Sequence, residues 1–352
     1  MFPHQPIYPD VTDNGTTIED IIKVISEVLT PNSGYKPYTV NEKDCIYWDP
    51  NMVLHHDSSN CSIDEIEFWN RVVPNVDVDY ECEAAESPEV RPSVLTKAGT
   101  TLIGRRITEF GRPGLDTYFG VPYAQAPIGT KRFQRPVAPG HEDVVDCALQ
   151  QPECVRTSQD LEYASEDCLY LDIWTPVADL VEEEAKWTMV YFCDGHISLS
   201  GVAQQERPQT KCRNWMGYFT EDYDVISVHV NYRHGIFGFG TDLGESIPTN
   251  NGFYDQRLAL EWIFENVGLF GGSADRIVFV GQGFGGVAAL LHGRDLHPAR
   301  IISSSGTLNM KFPFTTEAET VSNNIKRKLN CQSTLLDCLQ SKSTGNVLYI
   351  SF

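Results

Sequence analysis

Cys193, Asp194 and His196 place a thiol, a carboxylate and an imidazole within four residues, the groups from which a cysteine nucleophile and its base are assembled. The thiol follows directly on the apolar run 188–192, and a cysteine at the end of such a run is more simply a packed side chain. Ten cysteines are many for a chain of 352 residues in a reducing compartment. None makes a CxxC pair or a Cys/His cluster with zinc-site spacing, so disulfides are expected, with no metal and no cofactor. Asn14 (Asn14-Gly15-Thr16) and Asn60 (Asn60-Cys61-Ser62) are N-glycosylation triplets that suit the same compartment. Met1 to Pro6 has neither a basic n-region nor an apolar h-region. The expectation is therefore an extracellular or secretory-pathway protein without a signal peptide at this start.

The elements that must position such groups are legible as short runs. Residues 101–107, 169–174, 188–192, 225–230 and 277–280 read as buried strands. Residues 258–266 and 286–291 read as helical, with Gly-rich turns between. Strand and helix alternate, which predicts an α/β fold with a mostly parallel central sheet and helices on both faces. A 41% hydrophobic composition can build a large core. No apolar run approaches the length of a membrane span. Twenty-seven basic against 48 acidic residues give a formal charge of -21. That balance argues against nucleic acid as a partner, supports solubility, and favours protein partners with basic surfaces.

Ahead of this region the pattern differs. Residues 17–29 place Ile18, Ile21, Ile22, Ile25 and Leu29 on one helical face, and Pro31 to Gly34 stops the helix. Residues 77–96 open with the carboxylate-rich DVDYECEAAESPE and read as an acidic linker.

The segment 166–176, EDCLYLDIWTP, resembles the second signature of the type-B carboxylesterase and cholinesterase family. Further stretches similar to that family follow its order: FGVPYAQAPIGTKRF (119–133), VNYRHGIFGF (230–239), NNGFYDQRLALEWIFENVGLFGG (250–272) and SSSGTLN (303–309). The resemblance covers about 97–352 and implies an α/β-hydrolase fold cut short at its C-terminal end. It also implies disulfides between Cys154 and Cys168 and between Cys331 and Cys338, and structural ion pairs joining Arg132 to Glu166 and Arg233 to Asp255.

The chain departs from the family at its active site. An active member runs a strand into G-x-S-x-G, a strained turn that lifts a serine hydroxyl above the sheet. Here the sequence is Gly281-Gln282-Gly283-Phe284-Gly285, and Gly283 has no side chain to act as a nucleophile. Phe284 stands where a backbone N–H joins the oxyanion hole. The family's oxyanion glycines correspond to Gly195, His196 and Ile197, of which only Gly195 is a glycine, and the other two side chains are expected to crowd the site. Between Cys154 and Cys168 there is no tryptophan, so the resemblance gives no basis for choline specificity. The acidic and histidine members of the family's triad fall beyond Phe352.

Residues 1–76 resemble the other end of the same family, through Tyr35-Lys36-Pro37-Tyr38 and Phe68-Trp69-Asn70-Arg71. The expected organisation is the C-terminal end of one cholinesterase-like domain (1–76), the linker (77–96), and the N-terminal part of a second domain (97–352). The expected function is a non-catalytic binding or adhesion module with no catalytic residue of its own. The alternatives are a serine carboxylester hydrolase whose active domain lies upstream, and a non-functional fragment.

Overall fold

Side chains alternate across a strand, so a run that is apolar at every position must be covered on both faces. The computed structural model describes residues 91–107, 114–156, 161, 163–177, 184–193, 215–240, 242, 246–309 and 315–350. The expected 17–29 helix, residues 77–90 of the linker, Asn14 and Asn60 lie outside them.

In chain order the strands are β1 (Ser93–Leu95), β2 (Thr101–Ile103), β3 (Arg105–Ile107), β4 (Leu115–Pro122), β5 (Val144–Asp146), β6 (Glu153–Cys154), β7 (Ala164–Ser165), β8 (Tyr170–Pro176), β9 (Lys186–Phe192), β10 (Ile226–Val230), β11 (Gly272–Gln282) and β12 (Arg300–Ser304). The α-helices are α1 (Met216–Tyr223), α2 (Gly235–Phe239), α3 (Asn251–Asn266), α4 (Phe284–Leu296), α5 (Thr315–Lys328), α6 (Leu335–Gln340) and α7 (Thr344–Ile350).

Seven strands form the main sheet, in the order β12-β11-β9-β10-β8-β4-β3. Its register explains the unbroken apolar runs. Val190, Phe192, Ile277 and Phe279 face a core that includes Ala259, Leu260 and Ile263 of α3 and Val287, Ala288 and Ala289 of α4. Their neighbours Met189, Tyr191, Val278 and Val280 face the other way, onto Met216 and Phe219 of α1. Helices thus cover both faces, as expected, and each large apolar side chain so buried contributes about 1.5–3 kcal/mol.

The sheet is mixed rather than mostly parallel. Pairings β12–β11, β11–β9 and β9–β10 are parallel, whereas β10–β8, β8–β4 and β4–β3 are antiparallel. The difference follows the connections. Helices α1, α3 and α4 supply the crossovers a parallel pair needs, while only residues 108–114 separate β3 from β4. The parallel half is the one that carries the candidate site.

Residues 101–107 do not make a single strand. They break at Gly104 into β2, in a small sheet ordered β1-β2-β5, and β3, at the edge of the main sheet. A side chain at Gly104 would lie 2.4 Å from the carbonyl oxygen of Thr117. A third apolar cluster, including Phe133, Phe237, Leu339 and Val347, ties α6 and α7 to the body of the domain.

Candidate functional site

β11 delivers the chain to the turn at Gly283, and α4 starts at the next residue. Gly283 has φ 55° and ψ -121°, a conformation that costs an L-residue on the order of 1–3 kcal/mol and a glycine little. Its N–H donates to the Ser304 carbonyl at 2.8 Å, and its own carbonyl accepts from Val287 N at 3.3 Å. The strained strand-turn-helix elbow is therefore built, with no side chain at its apex.

The surrounding glycines are accounted for by packing alone. A Cβ on Gly281 would sit 2.2 Å from the carbonyl carbon and oxygen of Gly285, and one on Gly285 2.0 Å from the carbonyl oxygen of Phe192. A Cβ on Gly286 would meet Ser303 Oγ at 2.4 Å, and one on Gly306 the Gly283 carbonyl oxygen at 2.5 Å. Helix and strands approach too closely here for any side chain, whatever chemistry the turn performs. Ser303 is held by donating to the Gly306 carbonyl at 2.8 Å.

Phe284 occupies the first position of α4, and its ring turns into the core. It is 4% exposed and packs against Phe239 at 5.5 Å and Phe253 at 5.3 Å between ring centroids. Its bulk therefore lies in the core, whatever the state of the oxyanion position. Gly195, His196 and Ile197 lie outside the described residues.

Cys193 is disulfide-bonded, which removes the thiol that a Cys193–His196 pair would need. Its carbonyl accepts from the Tyr232 hydroxyl at 3.0 Å. Cys147 is the free cysteine among the described residues, and burial pushes its thiol up to about 12, so it stays protonated and unreactive at neutral pH. No group of acidic, histidine and cysteine side chains among the described residues could hold a metal ion. No helix among them is long and apolar enough to cross a membrane.

The remaining predicted residues meet away from the elbow. Cys154 is bonded to Cys168, with Cα atoms 5.0 Å apart, and Cys331 to Cys338, at 5.6 Å. Arg132 donates to both oxygens of Glu166, Nε to Oε2 at 2.6 Å and Nη2 to Oε1 at 2.7 Å. Its Nη1 donates to the carbonyls of Leu339 and Lys342, and Thr344 Oγ1 donates to Glu166. This ion pair anchors α6 and α7, a role that needs three-dimensional contacts to see. Arg233 grips Asp255 through Nε at 2.7 Å, Nη2 at 2.6 Å and its backbone N–H at 3.1 Å. The cavity between Arg132, Glu166, Arg233 and the Cys154–Cys168 disulfide has room for about one water molecule, and these residues brace the fold around it.

The model of the carboxylesterase family matches residues 90–350. The chain is similar to acetylcholinesterase-1 of Trittame loki, 33% identical over 208 residues that cover 56% of this chain and 36% of that protein. It is similar to acetylcholinesterase of Danio rerio, 29% identical over 291 residues covering 75% of this chain and 44% of the relative. Carboxylesterase 3 of Homo sapiens is 30% identical over 294 residues, 76% of this chain and 49% of the relative. The chain spans about half, or less, of the length of these curated relatives.

Proposed function

The chain belongs to the carboxylesterase family, and from that premise we propose that it is a catalytically inactive, cholinesterase-like member acting outside the cell as a binding or adhesion module. One observation carries the reading: Gly283 keeps the elbow's strained backbone, φ 55° and ψ -121°, and lacks the hydroxyl for which active esterases hold that strain. Without a nucleophile the covalent route through an acyl-enzyme is closed. Disulfides at Cys154–Cys168 and Cys331–Cys338 and the triplets at Asn14 and Asn60 support an oxidising compartment. The formal charge of -21 favours protein partners with basic surfaces. The same proposal takes 1–76 as the end of a preceding domain of the family and 77–96 as the linker.

The test is ester hydrolysis by the purified chain, on acetylthiocholine and on a short-chain nitrophenyl ester, with intact-mass analysis after an organophosphate. The expected result is turnover at the buffer rate and no covalent adduct. Turnover that survives purification and is abolished by stoichiometric phosphorylation of the chain would end the proposal.

A second variant asks whether the hydroxyl alone is missing. Gly283→Ser is expected to stay near background in the same assay, because the side chains of His196 and Ile197, where the family has oxyanion glycines, would keep the carbonyl oxygen from the backbone N–H groups, and each oxyanion donor left unused costs about 10²–10³ in rate. Substantial activity from that single change would show that the oxyanion site is intact.

A further inference from the structure

The small sheet β1-β2-β5 has one face turned inward. Val94, Leu102 and Val145 meet the main core, so the alternate residues of each strand point the other way. Strand pairing sets these outward residues in two rows: Leu95, Thr101 and Val144 in one, and Ser93, Ile103 and Asp146 in the next. A sheet face open to water ordinarily carries polar side chains. Here Leu95 is 61% exposed and Val144 55%, and Ile103 beside them is half-buried. Apolar residues scattered singly over a surface need no explanation, but these three are neighbours on one face.

Leu95 and Val144 stand on the two outer strands, with Thr101 of β2 between them. Two strand spacings separate them, about 10 Å, which is close to the width of one helix, about 10 Å. The shorter Thr101 makes that row a shallow trough, which continues along β2 to Ile103. Its rim carries both signs of charge. Lys97 is exposed on the Leu95 side, and Glu142 and Asp143 are exposed on the Val144 side. Such a trough fits the apolar stripe of an amphipathic helix whose flanks are charged.

The chain carries a segment of that kind. Ile18, Ile21, Ile22, Ile25 and Leu29 fall on one helical face of 17–29, a stripe about 16 Å long, flanked by Asp20, Lys23 and Glu27. A helix this short is marginal alone in water, so the stripe needs a surface to form against. The point where the chain enters the domain selects the surface. Arg91 donates to Asp146 at 2.5 Å and to the Gly104 carbonyl at 2.9 Å, which fixes the end of residues 1–90 at the rim of the trough. Residues 30–90, between Leu29 and Arg91, have an r.m.s. span of about 45 Å as a random chain and less if folded. That tether holds 17–29 over the trough at an effective concentration on the order of millimolar, above that of a second copy in dilute solution. We propose that the outer face of the β1-β2-β5 sheet is the docking surface for the chain's own segment 17–29, laid as an amphipathic helix over Leu95, Ile103 and Val144.

The experiment is hydrogen–deuterium exchange of the full chain at neutral pH. Residues 17–29 are expected to be protected at least about tenfold relative to an unstructured chain, and equally so after dilution. Leu95→Asp combined with Val144→Asp changes only exposed side chains, and it should remove that protection while β9 and β11 keep theirs. Ile22→Asp works from the other partner and decides the matter if the double variant does not fold: it should raise exchange in peptides of β1, β2 and β5 by about twofold or more. No protection of 17–29 in the wild type, or protection that survives Leu95→Asp with Val144→Asp, would overturn the proposal. So would protection that falls on dilution, as docking onto a second copy requires, or exchange in β1, β2 and β5 that Ile22→Asp leaves unmoved.

Discussion

Arg233→Met is expected to lower the stability of the domain by about 3–5 kcal/mol, read as a fall in the urea midpoint at unchanged slope. Methionine approximates the volume of the arginine stem but leaves Asp255 with a charge at 0% exposure. Of the three hydrogen bonds that this carboxylate accepts from Arg233, the two from the guanidinium are lost and the one from the backbone N–H stays, and the bond from Arg233 Nη1 to the Gln134 carbonyl at 2.9 Å is lost as well. Burial alone would pull the guanidinium pKa down, yet the Asp255 charge and its hydrogen bonds hold it above the ordinary arginine value. The pair is thus strongly coupled, and most of the cost of breaking it is the orphaned carboxylate. The double change Arg233→Met with Asp255→Leu removes that orphan. It is expected to be more stable than Arg233→Met alone, and a double variant as unstable as the sum of its singles would mean that the charges do not act on each other.

The same distinction between a charge and its setting explains how much could be seen beforehand. The centres of β9 (189–192) and β11 (277–280) are visible in the sequence because every position there is apolar and covered on both faces, and β10 is visible through Ile226, Val228 and Val230 although Ser227 and His229 lie between them. β4 was hidden because its buried positions include Asp116 and Thr117. The structure satisfies both: Arg106 donates to the two Asp116 oxygens at 2.6 and 2.8 Å, and Thr117 donates to the Arg105 carbonyl. α1 was hidden in the same way, since Thr220 is buried and bonds Ser227 at 2.7 Å. A polar residue whose partner is distant in sequence looks exposed until the partner is placed.

The site divides along the same line. The elbow was legible because its glycine spacing is local, and Gly283 is the turn residue in the structure. Where Phe284 would point was not legible, because its direction depends on Phe239 and Phe253 in two other helices. The disulfide state of Cys193 could not be told from simple packing, since both bury a cysteine.

If the elbow survives here for packing, the glycines around the turn should matter more to this chain than the turn residue itself. Gly285→Ala tests that directly. Its Cβ would stand 2.0 Å from the Phe192 carbonyl oxygen, 2.8 Å from that carbonyl's carbon and 3.0 Å from the Cys193 carbonyl oxygen. All three are backbone atoms of β9 or its end, so no rotamer change can make room, and α4 must move off the sheet that buries Val287, Ala288 and Ala289. Overpacking typically costs about 1–3 kcal/mol, and against backbone atoms that cannot turn aside the upper end, about 3 kcal/mol, is expected, or roughly 6–12 °C in melting temperature for a domain of this size. Gly283→Ser, by contrast, carries backbone strain at φ 55°, on the order of 1–3 kcal/mol. The expected order of melting temperatures is wild type, then Gly283→Ser, then Gly285→Ala. An alanine at 285 that melts with the wild type would mean that α4 does not sit this close to β9. A serine at 283 more damaging than alanine at 285 would place the constraint in the turn's backbone conformation.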